Sequence, residues 1–157
     1  MSAKNERTLE QVYRSAVRGL YGRLRNNYDF LYRKYGDEGI KLIADMSREY
    51  GLIVAQKARS TLQNNDLLSV AKYLVRIFET VGWGKDTQIE ITDVRAVMRA
   101  EECPLHFDKP EMCLAHTTME KTVVETLNPN LTYCIGKSIP AGDAYCEHII
   151  EIRMTKR

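Results

Sequence analysis

Residues 82–99 read GWGKDTQIEITDVRAVMR, and across this stretch the hydrophobic period of the chain changes. Upstream, apolar residues recur every three or four positions, as on the inner face of a helix. From Gln88 to Thr92 and from Val94 to Arg99 the segments are short and rich in branched residues, as strands are. The chain therefore divides into a helical part, residues 1–84, and a part built on strands, residues 85–157, and the expected class is α+β. At 157 residues it is long enough to bury a real core, and the simplest organisation is one domain.

Working back from this boundary, Leu67, Val70, Leu74, Ile77, Phe78 and Val81 form the stripe of a third helix, with Asp66 as its cap and Gly82-Trp83-Gly84 as its stop. The turn Gln63–Asp66 separates it from a second helix carrying Ile40, Ile43, Ala44, Ile53 and Val54. Asp37 is placed to cap that helix, and Gly51 is its weak point. The first helix opens on Thr8 and Gln11, at capping-box spacing. It carries Leu9, Val12, Tyr13, Ala16, Leu20 and Leu24, then Tyr28, Leu31, Tyr32 and Tyr35, and Gly36 ends it. Most of the nine tyrosines lie in this helix, and core or interface packing is a better reading of them than an aromatic ligand pocket. The helical half is the expected interface of a homodimer.

Working forward, residues 101–109 form a loop around Cys103-Pro104. Pro110 suits the first turn of a helix that can run to Thr126, and Asn128-Pro129-Asn130 stops it. Leu131–Lys137 reads as a strand, Pro140–Asp143 as a turn, and Tyr145–Met154 as a final strand. The Ile149-Ile150 pair there points to burial on both faces. The result is a helical half packed on a small, mainly antiparallel sheet that carries one further helix.

The formal charge of +2 exerts no strong pull on nucleic acid, and Arg7, Arg14, Arg18, Arg23, Arg25, Arg33 and Lys34 read as a solvated helix face. The opening MSAKNERTLEQ is not a signal peptide, and no apolar run approaches the roughly 20 residues needed to span a bilayer. A cytoplasmic protein is expected, with its four cysteines as thiols or metal ligands rather than disulfides.

All of the cysteines and histidines fall between Cys103 and His148. Cys103-Pro-Leu-His106 and Cys113-Leu-Ala-His116 are two C-x-x-H pairs that could meet around one zinc or iron ion, although their spacing is not that of a zinc finger. The alternative is that the cysteines are small core residues. A third reading is nucleophilic. In the first turn of a helix the Cys113 thiol would gain acidity from unpaired N–H groups, with His116 as its acid or base. On that helix Cys113, His116 and Glu120 share a face, which makes Glu120 a candidate ligand contact. Cys146 and His148 share one side of a strand. Asp143 is most simply a turn residue, and Cys134 a core residue. A redox sensor using Cys113 and a resolving cysteine is a weaker option.

The ordered pieces Cys103-Pro104, Cys113, Leu127-Asn-Pro-Asn-Leu131 and Ser138-Ile-Pro-Ala-Gly-Asp-Ala-Tyr-Cys146 resemble the L-2-amino-thiazoline-4-carboxylic acid hydrolase family over roughly residues 95–152. That likeness implies a hydrolase that opens a cyclic amidine by adding water to the carbon between nitrogen and sulfur, giving N-carbamoyl-cysteine. It would use Cys113 as nucleophile, His116 as acid or base, Asp143 to orient groups, and Arg95 or Arg99 to hold the substrate carboxylate. His116 departs from the acidic residue that the family tends to carry three places after its cysteine. The same order, with Gly82-Trp83-Gly84 before it, is similar to the 4-vinyl reductase domain. This second likeness implies a non-catalytic small-molecule-binding module, with the fold of ligand-binding domains in nitric-oxide signalling and Golgi transport. It also implies a pocket between helix and sheet.

Overall fold

A computed structural model describes residues 7–80 and 87–154. Three helices come first: α1 (Leu9–Tyr35), α2 (Asp37–Arg59) and α3 (Leu67–Thr80). They are followed by β1 (Gln88–Ile91), β2 (Arg95–Ala100), α4 (Pro110–His116), α5 (Thr118–Leu127), β3 (Leu131–Lys137) and β4 (Cys146–Ile152), with a 3₁₀ turn at Ile139–Ala141. The α+β expectation holds. Val81 and the Gly82-Trp83-Gly84 stop lie outside the described residues.

Local signals account for most boundaries. Thr8 and Gln11 close the capping box on α1. Gly36 ends that helix at φ 59°, a backbone region that glycine enters without steric penalty. Gly36 is also the N-cap of α2, so Asp37 sits inside the first turn of α2 rather than capping it. There its carboxylate faces the positive end of the helix dipole. The Asp66 carboxylate accepts from the Ser69 N–H at 2.8 Å and caps α3 as read from sequence.

The helix expected to run from Pro110 to Thr126 is broken. The Thr117 and Thr118 hydroxyls both donate to the Leu114 carbonyl, at 3.3 and 3.2 Å. Such bonds compete with the main-chain ladder and bend a helix. Thr117 is therefore the junction between α4 and α5.

The sheet is antiparallel throughout, in the order β1-β2-β4-β3. Alternation of side chains sorts its residues onto two faces. Ala96, Met98 and Ala100 share the inner face with Cys146, His148 and Ile150 of β4 and with Tyr133 of β3, in register as Met98 opposite His148 and Tyr133 opposite Ile150. The helices α3 and α5 pack on this face. Ile149 and Ile150 are both buried, as their pairing in sequence predicts.

The first cluster of the core is aliphatic and joins α3, α5 and the inner face: Val70, Leu74, Met98, Val123, Val124, Leu131 and Ile150 are its largest fully buried members. A second cluster joins α1, α2, α4 and the 101–109 loop through Tyr28, Ile43, Leu105, Phe107, Met112 and the Cys103 and Cys113 side chains. Two expectations are corrected here. Ile53, placed in the stripe of α2, is half exposed, and the buried edge of that helix is made of Gly39, Ile43, Ser47, Gly51, Ala55 and Ala58. The small residues win because α2 lies close against α5: a Cβ on Gly51 would meet the Met119 carbonyl oxygen at 2.8 Å. The start of α1 is the second, since Leu9, Val12, Tyr13 and Leu20 are all exposed. Among the described residues no helix is long and apolar enough to cross a membrane.

Candidate functional site: a cavity between helices and sheet

Between the two clusters lies a cavity of about 500 Å³. Its helical walls come from Tyr21, Leu24 and Tyr28 of α1, Ser47, Tyr50 and Val54 of α2, and Ile77 and Phe78 of α3. The 101–109 loop adds Cys103, Leu105 and Phe107. Cys113 and His116 reach it from α4, and Glu120 from α5, while Ile135, Cys146 and His148 close it from the sheet. The break at Thr117 leaves Cys113, His116 and Glu120 on the same wall, as the helical spacing predicts.

The polar groups in this apolar chamber have specific partners. The Tyr28 hydroxyl lies 3.2 Å from His116 Nδ1, and Ser47 is also within its hydrogen-bonding reach. The Tyr28 ring stacks on Phe107, with centroids 5.9 Å apart. Tyr133 bonds through its hydroxyl to His148 Nδ1. Burial holds His116 down at about 4, and burial with the nearby His116 holds His148 at about 3, so both imidazoles are neutral at pH 7. Burial acts the opposite way on the carboxyl of Glu120, pushing it up to about 7. Its Oε2 is buried with no hydrogen-bond partner among the described residues.

The surroundings of Cys113 work against the expected thiolate. Its N–H is already bonded to the Lys109 carbonyl, because α4 is well under way by this residue. The side chain is buried, which raises the thiol to about 11. Ser138 Oγ donates to its Sγ at 3.7 Å. Cys113 and His116 line one cavity, yet the described bond of His116 runs to Tyr28 rather than to the thiol.

The Cys103, His106, Cys113 and His116 quartet is not assembled. The His106 N–H closes a tight turn onto the Cys103 carbonyl, and His106 itself sits at φ 48°. This turn sends Cys103 inward and leaves His106 exposed. Among the described residues no group of three or more His, Cys, Asp or Glu side chains is placed to hold a metal ion.

Arg95 and Arg99 are also elsewhere. Strand alternation puts them on the outer face of the sheet, opposite to His148, where they pair with Glu151 at 3.1 Å and Glu147 at 3.0 Å. Cys134 shares that outer face and is exposed, so it is not a core residue. Asp143 behaves as the turn residue it resembles: its Oδ2 accepts from the Ser138 N–H at 2.8 Å beside Gly142 at φ 97°.

Ser47 and Phe107 escaped the sequence reading as wall residues. The preference for packing over a pocket in reading the tyrosines is corrected, since Tyr21, Tyr28 and Tyr50 line the cavity. Ser47 left a usable trace, since it continues the inward Ile40, Ile43, Ala44 series at helical spacing as a lone hydroxyl.

The class defined here is an α+β fold: helices on one face of a four-stranded antiparallel sheet, with a cavity of ligand size between them. The same architecture occurs in a solved structure, a trafficking protein particle complex subunit 3 from Naegleria fowleri covalently bound to palmitic acid. It matches with a TM-score of 0.62 and 12% identity over 93% of this chain and 98% of that one. The expected likeness to a transport-type ligand-binding fold therefore holds for the fold itself. No family model matches the chain, and no curated protein matches it.

Proposed function

We propose that this protein is a non-catalytic binding module that takes a small, largely apolar molecule into the cavity between helices and sheet. The observation that carries this reading is the cavity itself: about 500 Å³ walled by aromatic and aliphatic side chains, with a few convergent polar groups. That combination of size and lining suits a small-molecule site. A protonated thiol at Cys113 and neutral imidazoles favour binding over nucleophilic attack. A protein of the same fold was solved bound to palmitic acid, which adds support for an apolar occupant. The four cysteines are free, in keeping with a reduced cytoplasmic setting. The exposed Leu9, Val12 and Leu20 of α1 support a homodimer through the N-terminal helices. Thermal unfolding against a panel of apolar and amphipathic small molecules tests the binding reading: occupants of the cavity raise Tm with concentration. A panel with no stabilising member counts against it.

A second reading, hydrolysis of a small cyclic amidine, is favoured by one observation. A carboxyl held near pH 7 is suited to proton transfer, and Glu120 is the group in that state. Incubation with L-2-amino-thiazoline-4-carboxylate, followed by mass spectrometry for N-carbamoyl-cysteine, decides it. Turnover that disappears in Glu120→Gln supports hydrolysis, and no product removes it.

A further inference from the structure

Building on the reading of the cavity as a small-molecule site, we infer that its ligand is an amine, a protonated nitrogen on an apolar body, seated against the Glu120 carboxylate. Glu120 is the polar group whose needs the protein leaves unmet. Its Oε2 is buried without a hydrogen-bond partner among the described residues, and Glu120 is one of the residues that line the cavity. A buried carboxylate in an apolar chamber is costly unless a donor, preferably a cation, faces it.

Among the described residues, no Lys or Arg lines the chamber. The groups that face it from each packed element are Tyr21 and Tyr28 of α1, Ser47 and Tyr50 of α2, Cys103 of the loop, Cys113 and His116 of α4, Tyr133 of β3, and Cys146 and His148 of β4. Burial keeps the imidazoles of His116 and His148 neutral and holds the protons on Tyr21, Tyr28, Tyr133, Cys113 and Cys146 at pH 7 to 8. Tyr21, Tyr28, Cys113 and Tyr133 each feel the negative charge of Glu120 as a force holding their own protons on. When Glu120 ionises, no cationic side chain among the described lining residues compensates its charge.

Ligand classes separate on this charge. A neutral alcohol fills the volume but leaves the charge unpaired. A carboxylate adds repulsion. An ammonium brings a charge-assisted hydrogen bond to the Glu120 carboxylate and favours its ionised state. The apolar walls then hold the rest of the molecule.

Isothermal titration of the full chain at pH 8 with n-octylamine, n-octanol and octanoate separates the possibilities. We expect octylamine to bind about tenfold tighter than octanol, with octanoate weakest. In Glu120→Gln the amine advantage falls to about threefold or less, and octanol affinity stays within about threefold of wild type, which certifies an intact cavity. Should that variant fail to fold, the wild type gives the same answer. The amine advantage shrinks from pH 8 to pH 5.5 as Glu120 gains its proton, and octanol binding does not change. Equal binding of amine and alcohol, or an advantage that survives in Glu120→Gln, overturns the amine assignment and leaves the cavity reading standing. Failure of all three probes to bind overturns the cavity reading, and the amine assignment goes with it.

Discussion

The two hydrophobic clusters differ in chemistry and in what they do. The one between α3, α5 and the sheet is aliphatic, with Val70, Leu74, Met98, Val123 and Ile150 sealed from solvent. The one between α1, α2, α4 and the 101–109 loop is aromatic and thiol-bearing, and it stops short of filling its space, so that the cavity opens beside it. Close packing gives the first cluster its rigidity. The second gives up some of that packing for room. Under the proposed binding function, stability lies on one side of the ligand and adaptability on the other.

Truncation breaks or sharpens this contrast most strongly. Leu74→Ala is expected to destabilise by about 4 kcal/mol in urea denaturation, near the upper end for a site that cannot collapse. Leu105→Ala, on the cavity wall, is expected to cost about 2 kcal/mol, since its neighbours already face open space. Equal costs would erase the difference between the clusters.

The pH dependence is next in size. His116 and His148 are held below their usual 6.5 in the folded state, so the stability tied to their neutral forms is complete above pH 6.5 and lost as pH falls toward 4 and 3. Glu120 has the opposite sign. Held above its usual 4.5 at about 7, it contributes fully below pH 4.5, and that contribution is lost as pH rises through 7. Between pH 4.5 and 6.5 the two histidines outweigh the one carboxyl, so Tm in the unliganded protein should rise with pH and level off near pH 7. Glu120→Gln removes the opposing contribution and should steepen that rise, an effect on the order of 2 kcal/mol between pH 4.5 and 7. A rise of unchanged steepness in that variant would show that another group supplies the opposing titration.

Smaller effects complete the contrast. Tyr28→Phe removes the hydroxyl that faces His116 and should cost about 1 kcal/mol in thermal denaturation. Arg99→Ala acts on the far face of the sheet and should leave ligand affinity unchanged. A loss of affinity in that variant would restore the arginine as a ligand contact.

Much of the fold was legible because its signals are local. The change of period at Gln88, the Thr8 box, the Asp66 cap and the Ile149-Ile150 pair each depend on a few neighbouring residues, and each holds. The site was legible only as a face: spacing put Cys113, His116 and Glu120 together, and they do line one wall. What spacing does not carry is the direction of a side chain set by a turn or by strand parity. His106 is turned outward by its own φ, and Arg95 and Arg99 by alternation. Nor does it carry the effect of surroundings on a proton, which makes Cys113 a weak acid despite its place in a helix. The buried edge of α2 was missed because tight approach selects small residues, and the sequence pattern weighs large ones.

That tight approach has its own consequence. With no side chain at Gly51, the backbones of α2 and α5 come nearly into touch beside Ser47 and Glu120. Position 51 acts as a shim between two walls of the chamber. Each added carbon there, alanine and then larger residues, would pry the walls apart by a fraction of an ångström and shift Glu120 with its helix. Under the proposed binding function, ligand size would then be graded by one substitution at a position that does not itself line the cavity.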